Sequence, residues 1–135
     1  MKDYLALWGG EIPTGPIQVL PTQVTVVGEQ ISASKSEFAK VRLTVRPSDT
    51  FDVFDAVNER DELEKQDVAW PDPVVFGLLD VLTNAKQGPL ISLSVILEDI
   101  WYHEVDTSKN ALRSAGRDWI GPDRVGPFHF VFLSW

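Results

Sequence analysis

The run Lys40-Val41-Arg42-Leu43-Thr44-Val45-Arg46 alternates apolar and polar residues without a break. Side chains on a strand point to opposite faces with a period of two, so Val41, Leu43 and Val45 must share one face and Arg42, Thr44 and Arg46 the other. No helix can use that pattern, because a helical stripe needs spacings of three and four. The segment therefore predicts an antiparallel strand with one face on a core and one toward water. Pro47-Ser48-Asp49 stops it.

A strand of that kind needs neighbours and a covering layer. Gln23-Val24-Thr25-Val26-Val27 reads as a strand by its β-branched content, extending over 23–31, and Phe51 to Val57 as a third. A fourth runs from Leu90 to Leu97, with Ile91, Leu93, Val95 and Leu97 as its buried face. Residues 70–86 predict a helix: Asp72 can cap it, Pro73 suits its first position, and Val75, Phe76, Leu79 and Leu82 recur at helical spacing. Gly88-Pro89 closes that segment. A short loop centred on Trp101 to Val105 follows, and Asp106, Thr107 or Ser108 can start a second helix with Ala111, Leu112, Ala115, Trp119 and Ile120 as its stripe. The glycine- and proline-rich first 22 residues predict a short edge strand over Tyr4 to Trp8, and Phe128 to Leu133 a last strand. The expected class is α+β, a mostly antiparallel sheet with helices on one face.

At 135 residues the chain has the length of one domain, 1–135, and can bury a core without staples. It has no cysteine, which excludes disulfides, thiolate metal sites and a cysteine nucleophile. No apolar leader or run of about 18 apolar residues is present, so neither a signal peptide nor a spanning helix is expected, and the expected location is the cytoplasm. The net charge of −8 works against broad binding to phosphate backbones. Local basic faces remain compatible with it: Lys35, Lys40, Arg42 and Arg46 form one group, Lys109, Arg113 and Arg117 another. The mixed-sign run from Asn58 to Asp67 reads as a solvated segment.

Catalytic patterns are sparse. His103 stands beside Glu104 and Asp106, where a metal or acid–base role competes with that of an exposed loop histidine. His129 alternates with Phe128 and Phe130, as a strand histidine would. Ser32, Ser34 and Ser36 have no nucleophile elbow around them. The carboxylates lack metal-ligand spacing, and no Gly-x-x-x-x-Gly-Lys-[Ser/Thr] loop occurs, so no cofactor and no GTP or ATP binding is expected. Trp101 is the aromatic best placed for an exposed contact.

The stretch Tyr102-His103-Glu104-Val105-Asp106-Thr107-Ser108-Lys109-Asn110-Ala111-Leu112-Arg113-Ser114-Ala115 resembles a signature of the fourth domain of elongation factor G, Tyr-His-x-Val-Asp-Ser-Ser-Glu-x-Ala-Phe-Lys-x-Ala. Upstream, Gly88-Pro89-Leu90 resembles that family's Gly-x-Leu, and Arg42 to Pro47 and Phe51 to Val57 resemble its Val-x-Ile-x-Val-x-Pro and Phe-x-Phe strands. The resemblance covers roughly residues 22–120. It implies a two-layer sandwich with a four-stranded sheet, two helices on one face and a left-handed βαβ crossover, as in the second domain of a ribosomal protein, with additional N- and C-terminal strands. The crossover runs against the usual hand. It also implies a ribosome-facing tip made of Tyr102, His103, Glu104, Asp106 and Lys109, with Ser34, Lys35 and Ser36 in a second tip loop. The family's long glycine-rich second loop is here Ser32 to Ala39, without glycine. The family's Glu at 109 is Lys, which removes a capping-box carboxylate and sets a cation in the first helical turn. The expected function is a non-catalytic binding domain whose partner is the ribosome or its RNA. The alternative is a protein-interaction module that kept the fold alone.

Overall fold

A computed structural model describes residues 3–12, 14, 17, 23–32, 34, 37–58, 68–83, 89–102 and 106–118. The element order is α1 (Tyr4–Trp8), β1 (Val24–Ser32), β2 (Glu37–Pro47), β3 (Asp52–Asp55), α2 (Asp72–Leu82), β4 (Leu93–Tyr102) and α3 (Lys109–Asp118). The four strands form one sheet in the order β1-β2-β4-β3. The β1–β2 and β2–β4 pairs are antiparallel, and β3 lies parallel to β4 with α2 between them in the chain. This is the expected α+β sandwich.

The alternation in β2 does what its period demands. Ala39, Val41, Leu43 and Val45 are buried, and Arg42 and Arg46 are exposed. Thr44 departs from expectation, being only 5% exposed although it lies on the face away from the helices. It sits in the middle of the sheet, where its hydroxyl meets Thr25 Oγ1 at 2.7 Å on one side and donates to the Glu98 carboxylate on the other. A central threonine with both neighbours bonded to it is covered by them.

Strand β4 is longer than its alternation suggested. Its register against β2 shifts between Arg42, opposite Asp99, and Leu43, opposite Leu97. Glu98 is the extra residue of a β-bulge, which reverses the side-chain parity of everything after it. Leu93, Val95 and Leu97 are buried before the bulge, and Ile100 after it. The expected loop over Trp101 and Tyr102 is therefore strand.

The N-terminal segment is a helix, not the edge strand expected. The Asp3 carboxylate accepts from Ala6 N at 3.2 Å, and Gly9 ends the turn in the left-handed region at φ 70°. The cap residues decide where five apolar residues fit either state. Tyr4 and Trp8, one turn apart, then grip α2 from outside: the Tyr4 hydroxyl donates to Asp72 and the Trp8 indole to Asp80, each at 2.9 Å. Asp72 thus does not cap α2; the cap position is Pro71, and Asp72 is the first helical residue. Burial, the bond to Asp72 and the charges of Asp72 and Asp55 hold the Tyr4 phenol protonated well above its ordinary range. The expected C-terminal strand and the charged run over 59–67 lie outside the described residues.

Helix α2 is buried on two sides. Val74, Leu78 and Leu82 enter the main core over the sheet, and Val75 and Leu79 form a second cluster with Tyr4 and Ile91. Helix α3 contributes Ala111, Leu112 and Ala115 to the main core. The two helices meet at Gly77 and Gly116, where a Cβ on either would run into a carbonyl oxygen of the other helix: that of Arg113 for Gly77, that of Val74 for Gly116. Beside this contact, Asp80 on α2 accepts from Arg113 Nε and Nη2 at 2.7 Å and from Arg117 Nε at 2.8 Å.

Burial pushes the Asp80 carboxyl up, but the hydrogen bonds from Arg113, Trp8 and Arg117 and the Arg113 charge outweigh it and hold it at about 2. A carboxylate depressed in the fold contributes stability above its unfolded value, near 3.8, that is lost as pH falls toward 2. Asp80→Asn should cost roughly 1–2 kcal/mol at neutral pH after allowing for screening at a partly exposed site. Thermal melts of parent and variant should differ above pH 4 and converge as the pH drops to 2. A constant difference across that window would show that Asp80 acts through shape rather than charge.

Candidate binding tip

Both segments expected to form the tip lie at the same end of the sheet. The β1–β2 hairpin turns after Ser32, which pairs with Glu37, and Tyr102 ends β4 opposite Ala39. The two strands run further than the expected loop over 32–39 allowed, because β1 reaches Ser32 and β2 begins at Glu37. A clasp joins the two tip segments: Phe38 N donates to the Asp106 carbonyl at 3.1 Å, and the Thr107 hydroxyl donates to the Phe38 carbonyl at 2.6 Å. Both backbone groups of one β2 residue are thereby satisfied by the β4–α3 junction. Thr107 is 8% exposed, so its hydroxyl is buried in this contact.

Ser108 begins α3. Its side chain accepts from Ala111 N at 3.1 Å and its carbonyl from Leu112 N at 3.0 Å. Of the three candidates for the start, this one has the N-cap geometry. Lys109 is then the first residue of the helix, exposed, and Ala111 occupies the capping-box position. The expectation that Lys109 displaces a capping-box carboxylate is corrected by this register, although its cation still faces the helix N-terminus.

The site residues fall into three groups. Ser34, Asp106 and Lys109 are at the tip end, Ser34 and Lys109 exposed and Asp106 half-buried. Ser34 Oγ lies 3.3 Å from Ser32 Oγ. Tyr102 is half-buried and packs against the main core, because the bulge turns it to the helix side of the sheet. It supports the tip from beneath. His103, Glu104, Lys35 and Ser36 lie outside the described residues. The same parity leaves Trp101 on the open face of the sheet, 40% exposed, with Lys40 Nζ 5.2 Å from its ring centroid.

The two basic groups of the sequence have different fates. Arg113 and Arg117 are engaged by Asp80. Lys40, Arg42 and Arg46 stand in file on the open face of β2, and among the described residues Arg42 makes only an exposed 3.8 Å pair with Asp99. Among the described residues no cluster of three or more potential metal-ligating side chains occurs. None of the described helices is long and apolar enough to cross a membrane.

No protein-family model matches the chain, and no curated protein does. Among solved structures it is similar to a crystal structure of a protein from Thermus thermophilus, at 16% identity and a TM-score of 0.63. The match covers 79% of this chain and 16% of the other, so the chain spans about a sixth of that protein's length. At this identity the likeness shows the fold alone.

Proposed function

We propose that this chain is a non-catalytic binding domain working from its tip, in the manner of the ribosome-contacting fourth domain of elongation factor G. The observation that carries the reading is the clasp through Phe38, which makes one surface of two segments 69 residues apart. The resemblance at Tyr102 to Ala115 falls on the strand end, junction and helix that build this surface. Binding is favoured over catalysis because, among the described residues, the two most perturbed titrating groups are committed to structural partners, Tyr4 to Asp72 and Asp80 to two arginines. The cytoplasm is where such a partner is found. No nucleotide, metal or membrane enters this reading.

A single copy should co-sediment with purified ribosomes at low salt. His103→Ala should weaken this by about 1 kcal/mol or more if the imidazole is a hot spot, while shifting stability by about half a kcal/mol or less. Lys109→Glu should steady α3 slightly through the helix dipole and also weaken binding to RNA. Equal sedimentation of parent and His103→Ala would sink the tip assignment. A second reading, a protein-interaction module, is favoured by the net charge of −8. It takes over if the parent itself fails to sediment with ribosomes.

A further inference from the structure

The open face of the sheet carries the same arrangement twice. At the tip end Lys40 lies over the Trp101 ring at 5.2 Å, and at the far end Arg46 lies over the Phe54 ring at 5.9 Å. Both rings are exposed, at 40% and 42%. Arg42 stands between the two cations on the same strand. Among the described residues, neither Lys40 nor Arg46 has a carboxylate in ion-pair reach, whereas Arg113 and Arg117 on α3 both do. Three of the six cations among the described residues thus gather on one face of an acidic chain. The carboxylates of that face are already engaged: Asp99 by Arg42, Glu98 by Thr44, Asp52 by Thr50, and Glu29 also has a partner.

We propose that this face binds single-stranded RNA, with Trp101 and Phe54 as stacking platforms for two bases and Lys40, Arg42 and Arg46 as phosphate contacts. Exposed aromatics on a sheet face beside solvent-facing cations supply the two interactions a single strand offers, a π-face from each base and a charge from each phosphate. In the free protein each cation rests over its ring. A base stacking there displaces the cation toward the phosphate. Phe54 pairs with Ile96, five residues before Trp101 on the neighbouring strand, so the platforms are roughly 16 Å apart at ~3.3 Å per residue. Between them Thr25, Thr44 and Glu98 form a row of hydroxyls ending in a carboxylate. Thr44 is covered, but Thr25 is exposed and Glu98 half-buried, and these two can meet a ribose 2′-hydroxyl, the group by which a protein distinguishes RNA from DNA. The inference stands apart from the tip, since none of these residues belongs to it.

The test is fluorescence anisotropy with a labelled 12-nucleotide oligouridylate, its DNA counterpart and an RNA duplex. The parent should bind the single-stranded RNA in the micromolar range, DNA at least fivefold more weakly and the duplex more weakly still. Trp101→Ala and Phe54→Ala should each lose at least fivefold, Trp101→Phe should retain most of the affinity, and Lys40→Glu with Arg46→Glu should flatten the salt dependence. Thermal melts check that each variant is folded. No binding by the parent at 50 mM salt, or equal binding by both alanine variants, overturns the proposal, and DNA binding as tight as RNA overturns its RNA assignment. Ribosome sedimentation without oligonucleotide binding would fail this inference and spare the tip, and the reverse result would fail the tip alone.

Discussion

Gly116→Ala should lower the stability of the domain by about 2 kcal/mol or more, against the direction that helix propensity gives. Replacing a helical glycine by alanine in an open position gains about 1 kcal/mol. Here the new methyl would fall on the carbonyl oxygen of Val74, with the Val74 carbonyl carbon at 3.1 Å and the Gly77 Cα at 3.2 Å. Those atoms are backbone and cannot rotate away, so α2 and α3 must separate. Overpacking of a tight contact costs typically 1–3 kcal/mol and occasionally more. Separation also stretches the Asp80 bonds to Arg113 and Arg117 and loosens Leu112 and Ala115 over the sheet. For a chain of this length the loss corresponds to a fall in Tm of roughly 8 °C. Gly77→Ala should behave alike, because its methyl meets the Arg113 carbonyl from the other side. The double variant should lose less than the sum, since one displacement relieves both clashes. Denaturant melts of the two single variants and the double settle it, and a Gly116→Ala protein that melts at or above the parent would mean the helices do not touch.

Deleting Ile96 from β4 should be more damaging still, on the order of 3–5 kcal/mol, while deleting Glu98 should cost no more than Glu98→Ala, about 1 kcal/mol. Glu98→Ala loses one hydrogen bond with Thr44. Removing Glu98 altogether closes the bulge and leaves Leu97 opposite Leu43 and Asp99 opposite Arg42 in consecutive register, so Leu97, Ile100 and Tyr102 stay on the helix side and Trp101 on the open face. Removing Ile96 has no such remedy. Either the bulge is kept and Leu93 and Val95 turn to the open face, or it is closed and Leu97 turns out while Glu98 enters the core. Leu93, Val95 and Leu97 are fully buried, so both outcomes forfeit apolar burial. Urea melts compare the three variants directly. A Glu98 deletion as damaging as the Ile96 deletion would mean that Glu98 is not the extra residue and would sink the parity argument for Trp101.

These features mark where local pattern stops being informative. The strand at 40–46 and the apolar stripe of α2 were legible because one face of each meets a single environment. The bulge was not, since Leu97-Glu98-Asp99-Ile100 breaks a period of two and a broken period looks like the end of a strand. Its extra residue makes sense only opposite Arg42 and Leu43 of another strand. Gly77 and Gly116 were equally silent, because each is an ordinary helical residue until the other is seen against it. Asp3 and Gly9 did signal a helix at both its ends, and the glycines and prolines around them masked it. At the tip, the resemblance marked the segment from Tyr102 to Lys109 and the turn at Ser34, but not the direction of Tyr102, which depends on the same bulge.

The placement of β4 bears on how the molecule comes into being. Strands β1 and β2 are close in sequence and can pair as soon as both have been synthesised, but a two-stranded ribbon is marginal alone. Among the described strands β3 pairs with β4 alone, and β2 has its second edge open until β4 fills it. The strand that completes the middle is thus the last of the described strands to be made. A growing chain halted before residue 93 holds an unpaired strand and a helix whose apolar sides have no sheet to cover. Assembly should therefore be a single late event rather than a sequence of stable stages, with most pairings closed across long stretches of chain. A truncation that removes β4 should leave no smaller fold behind.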